Sequence, residues 1–390
     1  MAEIKIIVAL DSFKGSLDAI AACRAVASGL KAADDALEII EHPMADGGEG
    51  SMAALTANWG TVPIEVDTVD ALRRPCRASY GLSADGRRAV IELASASGLP
   101  AVADALNPLI ADTYGTGLLI VHALDAGVSE IILCLGGSAS VDAGSGILRA
   151  LGVQFRDETG AQLRPGGASL KRLAVIDLVR LHPGAAAVRW KLAVDVENPL
   201  LGVSGAAAVY GPQKGASPDD VRLLDAALTK FADVVEHQTG RDVRDQPGYG
   251  AAGGIAAGLS GFFDIQLWPG AALIAKTTSL VVDIGQASLV ITGEGRCDAQ
   301  SIQGKVVGTI AKLVAATNPR CPVLVLAGEV VLNTAMLRQH GLAAAFSIAD
   351  GPATLNEMMS RTEELLRRQA EMIGCLFVAL SKGDPAASDA

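Results

Sequence analysis

The chain has 390 residues, of which 50% are hydrophobic and 4% aromatic, and its formal net charge at pH 7 is -11. At roughly 100–200 residues per domain, this length predicts two or three domains. The acidic balance disfavours nucleic acid as a main partner, because an acidic surface repels phosphate backbones. No apolar stretch reaches the ~18 residues of a membrane helix, and the N-terminal run is too short for a signal peptide. The six cysteines are widely spaced without a CxxC pair, which favours reduced thiols in the cytoplasm.

The sequence pattern in the first part of the chain predicts strands that are followed by polar segments. Residues 4–10 form an apolar run typical of a buried strand, and the polar sequence DSFKGS follows it. A helix is expected from about residue 17 to 32, with Ser16 as its N-cap. A strand at 37–41 then leads into MADGGEG and another helix.

The middle of the chain differs in character, with β-like alternation over residues 64–94. Next come the Gly-rich sequence GGSASVDAGSG, after a strand, and ENPLLG, after another strand. The expected elements are a helix near 115–126, strands at 130–135 and 191–196, and a long helix over about 219–237.

The last part repeats the first pattern, with strands at 288–292, 323–326 and 343–348 followed by GEGRCD, AGE and ADG. Ligands of open parallel sheets bind beyond the carboxyl ends of strands, so these polar ends belong at one sheet edge. We therefore predict an α/β fold, with one parallel-sheet domain built from both termini and a second α/β domain inserted between them. The expected bounds are 1–65 with 286–380, then 66–285, and a disordered tail at 381–390.

The Gly-rich loop from Gly136 to Gly146 is the strongest local indication of chemistry. Glycines let backbone amides turn inward, and a following helix adds positive potential, so the loop predicts an anion cradle. A tight capped turn is the structural alternative. The candidate phosphate-binding residues are Gly136, Gly137, Ser138, Ser140, Lys214 and Lys305.

Acidic residues follow several predicted strands, and Mg²⁺ commonly takes one or two carboxylates together with substrate phosphates. The candidate metal ligands are Asp142, Glu294 and Asp298, although any single Asp could equally cap a turn. The five histidines have no metal-ligand spacing, and no Ser/His/Asp arrangement is visible. This set of residues suits phosphoryl transfer, where positioning and charge neutralisation dominate catalysis, but it names no substrate.

Two other classes of function remain open at this point. GYGAAGG at 248–254 contains a GxGxxG sequence, but it follows Gln246-Pro247 rather than a strand, so a dinucleotide oxidoreductase is only weakly indicated. A non-catalytic organic-acid sensor is the other alternative.

Read together, eight ordered segments resemble the type I glycerate kinases of bacteria, from about residue 4 to 375. The segments are ALDSFKGSL, MADGGEGS, TYGTG, LGGSASVDAGSG, DVENPLLG, GPQKGA, GYGAAGG and TGEGRCDAQSIQGK. The chain departs from the usual family pattern at Leu10, Ser140, Val141, Ala143, Val194, Glu197, Cys297 and Ser301.

The resemblance implies a Rossmann-like domain with an inserted domain, and ATP-dependent, Mg²⁺-dependent phosphorylation of D-glycerate, generally on the 2-hydroxyl. Glycerate 3-kinase, or a kinase of another small hydroxy acid, stays open, as does a homodimer. We expect Asp195 as the base or a metal ligand, with Lys14, Asp11 and Asp46 as further catalytic candidates. The expected substrate-binding residues are Ser12, Glu49, Asn198 and Arg296.

Overall fold

The computed structural model describes residues 4–382. The strands are β1 (Lys5–Leu10), β2 (Glu38–Glu41), β3 (Ile64–Val69), β4 (Pro75–Leu82), β5 (Arg88–Glu92), β6 (Glu130–Cys134), β7 (Gln154–Arg156), β8 (Val175–Asp177), β9 (Arg189–Ala193), β10 (Ile265–Trp268), β11 (Leu289–Cys297), β12 (Val323–Val330) and β13 (Ala344–Ser347). The helices are α1 (Ala19–Ala33), α2 (Ser51–Trp59), α3 (Ala94–Ser97), α4 (Tyr114–Asp125), α5 (Ser145–Ala150), α6 (Pro183–Ala187), α7 (Ala206–Tyr210), α8 (Pro218–Thr239), α9 (Ile255–Ser260), α10 (Gly270–Thr277), α11 (Leu280–Ile284), α12 (Val306–Thr317), α13 (Thr334–Gln339), α14 (Leu355–Ser360) and α15 (Thr362–Lys382).

The chain forms two compact units. The terminal unit comprises the chain up to Asp46, Ala53–Asn58 and the chain from Pro269 onward, and the inserted unit comprises Gly47–Met52 and Trp59–Trp268. The domain bounds expected from the sequence stay a prediction. Ser381 and Lys382, expected in the disordered tail, belong to α15, and the rest of that predicted tail lies outside the described residues.

The terminal unit contains a five-stranded parallel sheet in the order β13-β12-β11-β1-β2. The central strand β1 is apolar and almost fully buried because both faces of the sheet are covered there, whereas the edge strand β2 begins and ends with Glu. Ile6 and Val8 pack with residues of α1 and α15 in one hydrophobic cluster. Both ends of the chain thus contribute to one sheet, which confirms the predicted α/β class.

The inserted unit contains a mixed sheet in the order β10-β9-β6-β5-β4-β3. Strands β10, β9, β6 and β5 are parallel, whereas β4 and β3 join as antiparallel neighbours. The alternation seen over residues 64–94 corresponds to this antiparallel edge, where alternate side chains are exposed. None of the helices within residues 4–382 combines the length and hydropathy needed to cross a membrane.

The start of α1 differs from its prediction. The helix begins at Ala19, and the Asp18 carboxylate caps it by accepting a hydrogen bond from the Ala21 amide at 2.8 Å. Ser16 instead donates to the Met359 carbonyl and contacts the Thr362 hydroxyl. Its hydroxyl therefore links the DSFKGS turn to the C-terminal helices, which lie more than 340 residues away in the sequence.

Candidate active site

Asp11, Asp46 and Glu294 lie at the carboxyl-end edge of the terminal unit's sheet. Asp11 follows β1, and its amide donates to the Gly293 carbonyl at 2.9 Å. Glu294 is the next residue along β11, the strand paired with β1. The Met44 amide donates to the Leu10 carbonyl, so the chain after β2 continues to pair with β1. Asp46 follows two residues after Met44. The parallel sheet therefore delivers three carboxylates to one edge.

The Asp11 carboxyl has a strongly raised pKa. Burial raises its pKa, the negative charges of Asp46 and Glu294 raise it further, and the result is a pKa of about 7. The Ser12 amide, which donates to Asp11 Oδ1 at 2.6 Å, opposes this rise. A carboxylate with a pKa near neutrality can accept a proton from a hydroxyl and still be ionised in a useful fraction of molecules.

Glu294 is buried, and burial raises the pKa of its carboxyl, whereas Ser301 and the Lys305 ammonium lower it. Within the described residues, its Oε1 atom is buried without a hydrogen-bond partner. No group of three or more His, Cys, Asp or Glu side chains in residues 4–382 is arranged to hold a metal ion. Mg²⁺ needs only one or two carboxylates, with water and phosphate oxygens completing its shell, so Glu294 with Asp46 fits it.

The other predicted residues of the terminal unit are more exposed. Lys14 and Arg296 are exposed, and Ser12 is half-buried. Arg296 lies 3.6 Å from an Asp298 oxygen and 3.4 Å from a Glu329 oxygen. Asp298 accepts a hydrogen bond from the Gln300 amide within a tight turn, and its role as a metal ligand stays a prediction.

The Gly-rich loop of the inserted unit follows β6 and begins in close contact with another glycine segment. A Cβ on Gly136 would lie 2.7 Å from Gly48 Cα, so only glycine fits there. The amides of Ala139, Ala143, Gly144 and Gly146 already donate to acceptors within this unit. The phosphate contact predicted for this loop is therefore narrowed to its first part, Gly136–Ser138, and stays a prediction.

Asp142 does not fit the metal-ligand role predicted for it. Its side chain is fully buried and accepts hydrogen bonds from the Thr113 amide and hydroxyl, the Ser140 hydroxyl and the Gly144 and Gly146 amides. Five donors leave little capacity for a cation. The carboxylate anchors the loop and the start of α5 to the segment before α4.

Replacing Asp142 with Asn is expected to lower the free energy of unfolding by about 2–4 kcal/mol, because the amide NH₂ must face donors that the carboxylate accepted. Urea denaturation measures the loss. Asp67→Asn, at a carboxylate of the same unit whose side chain is 95% exposed, is the matched control and should cost at most about 1 kcal/mol. Wild-type stability in Asp142→Asn would contradict the anchoring role.

Lys214 is buried rather than directed outward. Only 2% of it is exposed, and its Nζ atom donates to Ser138 Oγ and to the Ser140 carbonyl, both at 2.6 Å. Burial lowers its pKa to about 7, although the Asp142 charge opposes this. The side chain thus supports the Gly-rich loop from its buried side. The direct phosphate contact predicted for Lys214 from the sequence does not fit the burial of this side chain.

Two of the predicted site residues, Asp195 and Asn198, follow β9, and their surroundings differ. Asp195 is exposed, whereas Asp11 is half-buried. The Asn198 amide is engaged at both ends, because it donates to the Ser204 carbonyl and accepts from the Tyr210 hydroxyl. These two bonds give Asn198 a structural role, and the predicted substrate contact stays a prediction. Glu49 is exposed on the glycine segment that precedes α2.

GYGAAGG packs beneath the Gly-rich loop. A Cβ on Gly253 would lie 2.3 Å from the Ser140 carbonyl oxygen, and the Gly253 carbonyl accepts from the Ala143 amide. Its glycines therefore serve close backbone packing. The segment follows no strand, which removes the basis for a dinucleotide site.

The sequence and fold match known proteins along almost the whole chain. The model of the glycerate kinase family matches residues 6–378. The chain belongs to the glycerate kinase family. A glycerate kinase of Halalkalibacterium halodurans is 42% identical over 94% of this chain and 97% of its own. A glycerate 2-kinase of Escherichia coli K12 is 39% identical over 91% and 93%.

A crystal structure from Salmonella typhimurium LT2, assigned as a glycerate kinase 2, resembles this chain with a TM-score of 0.89. It is 39% identical, and the match covers 97% of this chain and all of the other. The resemblance inferred from eight short segments of the sequence is thereby confirmed, as is the α/β fold it implied.

The sequence analysis did not identify two acidic residues of this glycerate kinase family member, Glu92 and Asp112. Glu92, at the end of β5, accepts the Met52 amide at 2.7 Å and so holds the start of α2. Burial raises its pKa, while nearby backbone amides lower it. Asp112 is fully buried and pairs with Arg73 at 2.6 Å. Glu92 could have been found from the sequence, because it is an acidic residue at the end of an apolar strand. No local sequence pattern indicated Asp112.

Proposed function

We propose that this protein transfers the γ-phosphoryl group of ATP to the 2-hydroxyl of D-glycerate, giving 2-phosphoglycerate and ADP. The observation that carries the proposal is the carboxylate group at the terminal unit's sheet edge, with the pKa of Asp11 raised to about 7. Family membership supports ATP as the phosphoryl donor, and the E. coli glycerate 2-kinase supports the 2-hydroxyl as acceptor.

Asp11 is the best candidate for the general base, in place of Asp195. It accepts the proton of the attacking hydroxyl, and the nearby negative charges that raise its pKa also make the protonated form stable. Its pairing with the Ser12 amide fixes the direction of one carboxylate oxygen.

Asp46 and Glu294 are the proposed Mg²⁺ ligands. When bound, the cation would neutralise phosphate charge, which is the main electrostatic demand of phosphoryl transfer. Lys305, whose charge already acts on Glu294, and the exposed Lys14 supply further positive charge in the terminal unit. Ser12 and Arg296 remain candidates for binding glycerate.

The Gly-rich loop is the proposed phosphate-binding element of the inserted unit, through the amides of Gly136–Ser138. The Ser138 hydroxyl already accepts from Lys214, so its own proton is available to an anion. We place the enzyme in the cytoplasm, where ATP is supplied. The described cysteines are free thiols, which suits that compartment.

The experiment that tests this function follows ADP release from Mg²⁺-ATP with D-glycerate, L-glycerate, glycolate and lactate as separate acceptors. We expect turnover that depends on D-glycerate and on Mg²⁺. Strong preference for another hydroxy acid would keep the kinase and replace the substrate. No acceptor-dependent turnover from folded protein that binds ATP would overturn the proposal.

A further inference from the structure

His42 is a buried histidine just before the segment that carries Asp46. Only 4% of it is exposed. Its amide donates to the Val8 carbonyl at 2.8 Å, and the Met44 amide donates to the Leu10 carbonyl at 2.9 Å. The backbone from His42 to Met44 therefore runs beside β1 until Asp11 and Asp46 follow the two strands. The position of His42 sets the path that leads to Asp46.

The His42 ring joins this segment to two helices of the terminal unit. Its Nδ1 atom lies 2.7 Å from Asn58 Oδ1, on α2, and its Nε2 atom lies 2.9 Å from Asp283 Oδ2, on α11. Asn58 also donates from its NH₂ group to the Pro43 carbonyl at 2.9 Å. The ring and the amide together fix the two residues at the start of the Asp46 segment.

Both partners of the ring are hydrogen-bond acceptors. The Asn58 NH₂ group donates to two carbonyls, Pro43 and Ala54, so its Oδ1 atom must face the ring. Asp283 Oδ2 accepts from the Ser279 hydroxyl at 2.7 Å as well as facing His42. A neutral imidazole has only one N–H and would leave one of these two contacts without a proton.

We propose that His42 is a positioning residue: a buried imidazolium, protonated on both nitrogens, that clamps the Asp46-bearing segment to α2 and α11. The clamp matters for catalysis through the role given to Asp46 under the proposed function, on which this part rests. The titratable group facing the ring is Asp283. On α2, the ring contacts the neutral amide of Asn58. On β1, the His42 backbone contacts Val8. The side chain of the adjacent Glu41 is exposed.

His182, in the inserted unit, provides a matched contrast. Its Nδ1 atom accepts from the Gly184 amide at 3.1 Å, and its Nε2 atom lies 3.1 Å from Asp125 Oδ1. One ring nitrogen faces a donor and the other an acceptor, so a neutral ring satisfies both contacts. The His42 ring thus needs two protons to satisfy its contacts, and the His182 ring needs one.

The first test is NMR of the full chain with ¹⁵N-labelled histidine, at the pH of the activity assay. Spectra of His42→Gln and His182→Gln assign the two rings. We expect His42 to show two protonated ring nitrogens and His182 one. In Asp283→Asn, the new amide can donate to Nε2, so the His42 ring should lose its second proton. A singly protonated His42 in the wild type would overturn the proposal, whatever the enzyme's activity.

The second test is steady-state kinetics. We expect His42→Gln to lower kcat by between about tenfold and a hundredfold with KM for ATP changed less than about twofold, because displacing a reacting group by an ångström has that effect on the chemical step. Asp283→Asn should lower kcat in the same direction, and it serves if His42→Gln does not fold. His182→Gln should match the wild type. Wild-type kcat in folded His42→Gln or Asp283→Asn would refute the positioning role, whereas an inactive wild type would instead refute the proposed function.

Discussion

Replacing Asp11 with Asn is expected to lower kcat for glycerate phosphorylation by about 10²- to 10⁴-fold, the usual contribution of a general base. Asn keeps the size of the side chain but cannot accept the proton. In the wild type, kcat should rise with pH as Asp11 ionises, with the midpoint below about 7 because Mg²⁺ bound to Asp46 and Glu294 would offset two of the charges that raise the pKa of Asp11, and this acid limb should vanish in the variant. Measuring kcat at saturating substrates across pH 5.5–8.5, a range of about one and a half units either side of that pKa, tests both.

Stability separates this role from a structural one. Because the pKa of Asp11 is raised in the folded protein, the folded state binds more protons than the unfolded state between the ordinary value of 3.8 and about 7. The wild type therefore loses stability as pH rises through that window, and neutral Asn removes the loss. At pH 8, about one unit above the folded-state pKa, Asp11→Asn should melt at the same or a higher temperature than the wild type.

Asp18→Asn is the matched control, because Asp18 is an exposed helix cap seven residues away and Asn caps nearly as well. Its kcat should stay within about twofold of the wild type. A similar loss in both variants, or a low melting temperature in Asp11→Asn, would argue against Asp11 as the base.

Lys214→Met is expected to lower kcat/KM for ATP by about a hundredfold, the effect of misplacing a binding element by about an ångström. Methionine fills a similar volume but leaves the Ser138 hydroxyl and the buried Ser140 carbonyl without their ammonium donor. The Gly-rich loop then loses its support from below. Initial rates over a range of ATP concentrations measure the change.

The pH dependence of stability shows whether the lysine is buried as described. With its pKa lowered from 10.5 to about 7, folded Lys214 binds fewer protons than unfolded Lys214 between those values. The wild type should gain stability relative to Lys214→Met as pH rises from 7, by at most about 1.4 kcal/mol per pH unit. Urea titrations of both proteins at several pH values measure this difference.

Lys171→Met, at an exposed lysine of the same unit, should leave both kinetics and stability close to the wild type. Wild-type kcat/KM for ATP in Lys214→Met would mean that the ammonium only fills space beneath the loop.

Much of the fold could be predicted because it rests on local patterns. Apolar runs alternating with helices indicated parallel sheets, and polar segments after the strands marked the edge where Asp11, Asp46 and Glu294 lie. The Gly-rich loop was also found, because close backbone approach requires glycine whatever the rest of the chain does.

The roles of individual side chains could not be predicted, because burial and distant partners decide them. Asp142 looked like a metal ligand, but its donors include Thr113, 29 residues away. Lys214 looked like a phosphate ligand, but its partner Ser138 is 76 residues away and the side chain is buried. The pKa of Asp11 depends on burial and on Glu294, near the other end of the chain.

The most direct test of the whole account is NMR of the reaction product from Mg²⁺-ATP and ¹³C-labelled D-glycerate. We expect a phosphorus resonance coupled to the C2 proton and carbon of glycerate, formed together with ADP. A phosphate on C3 would contradict the assigned hydroxyl, and ADP formed without any phosphorylated glycerate would contradict the kinase itself.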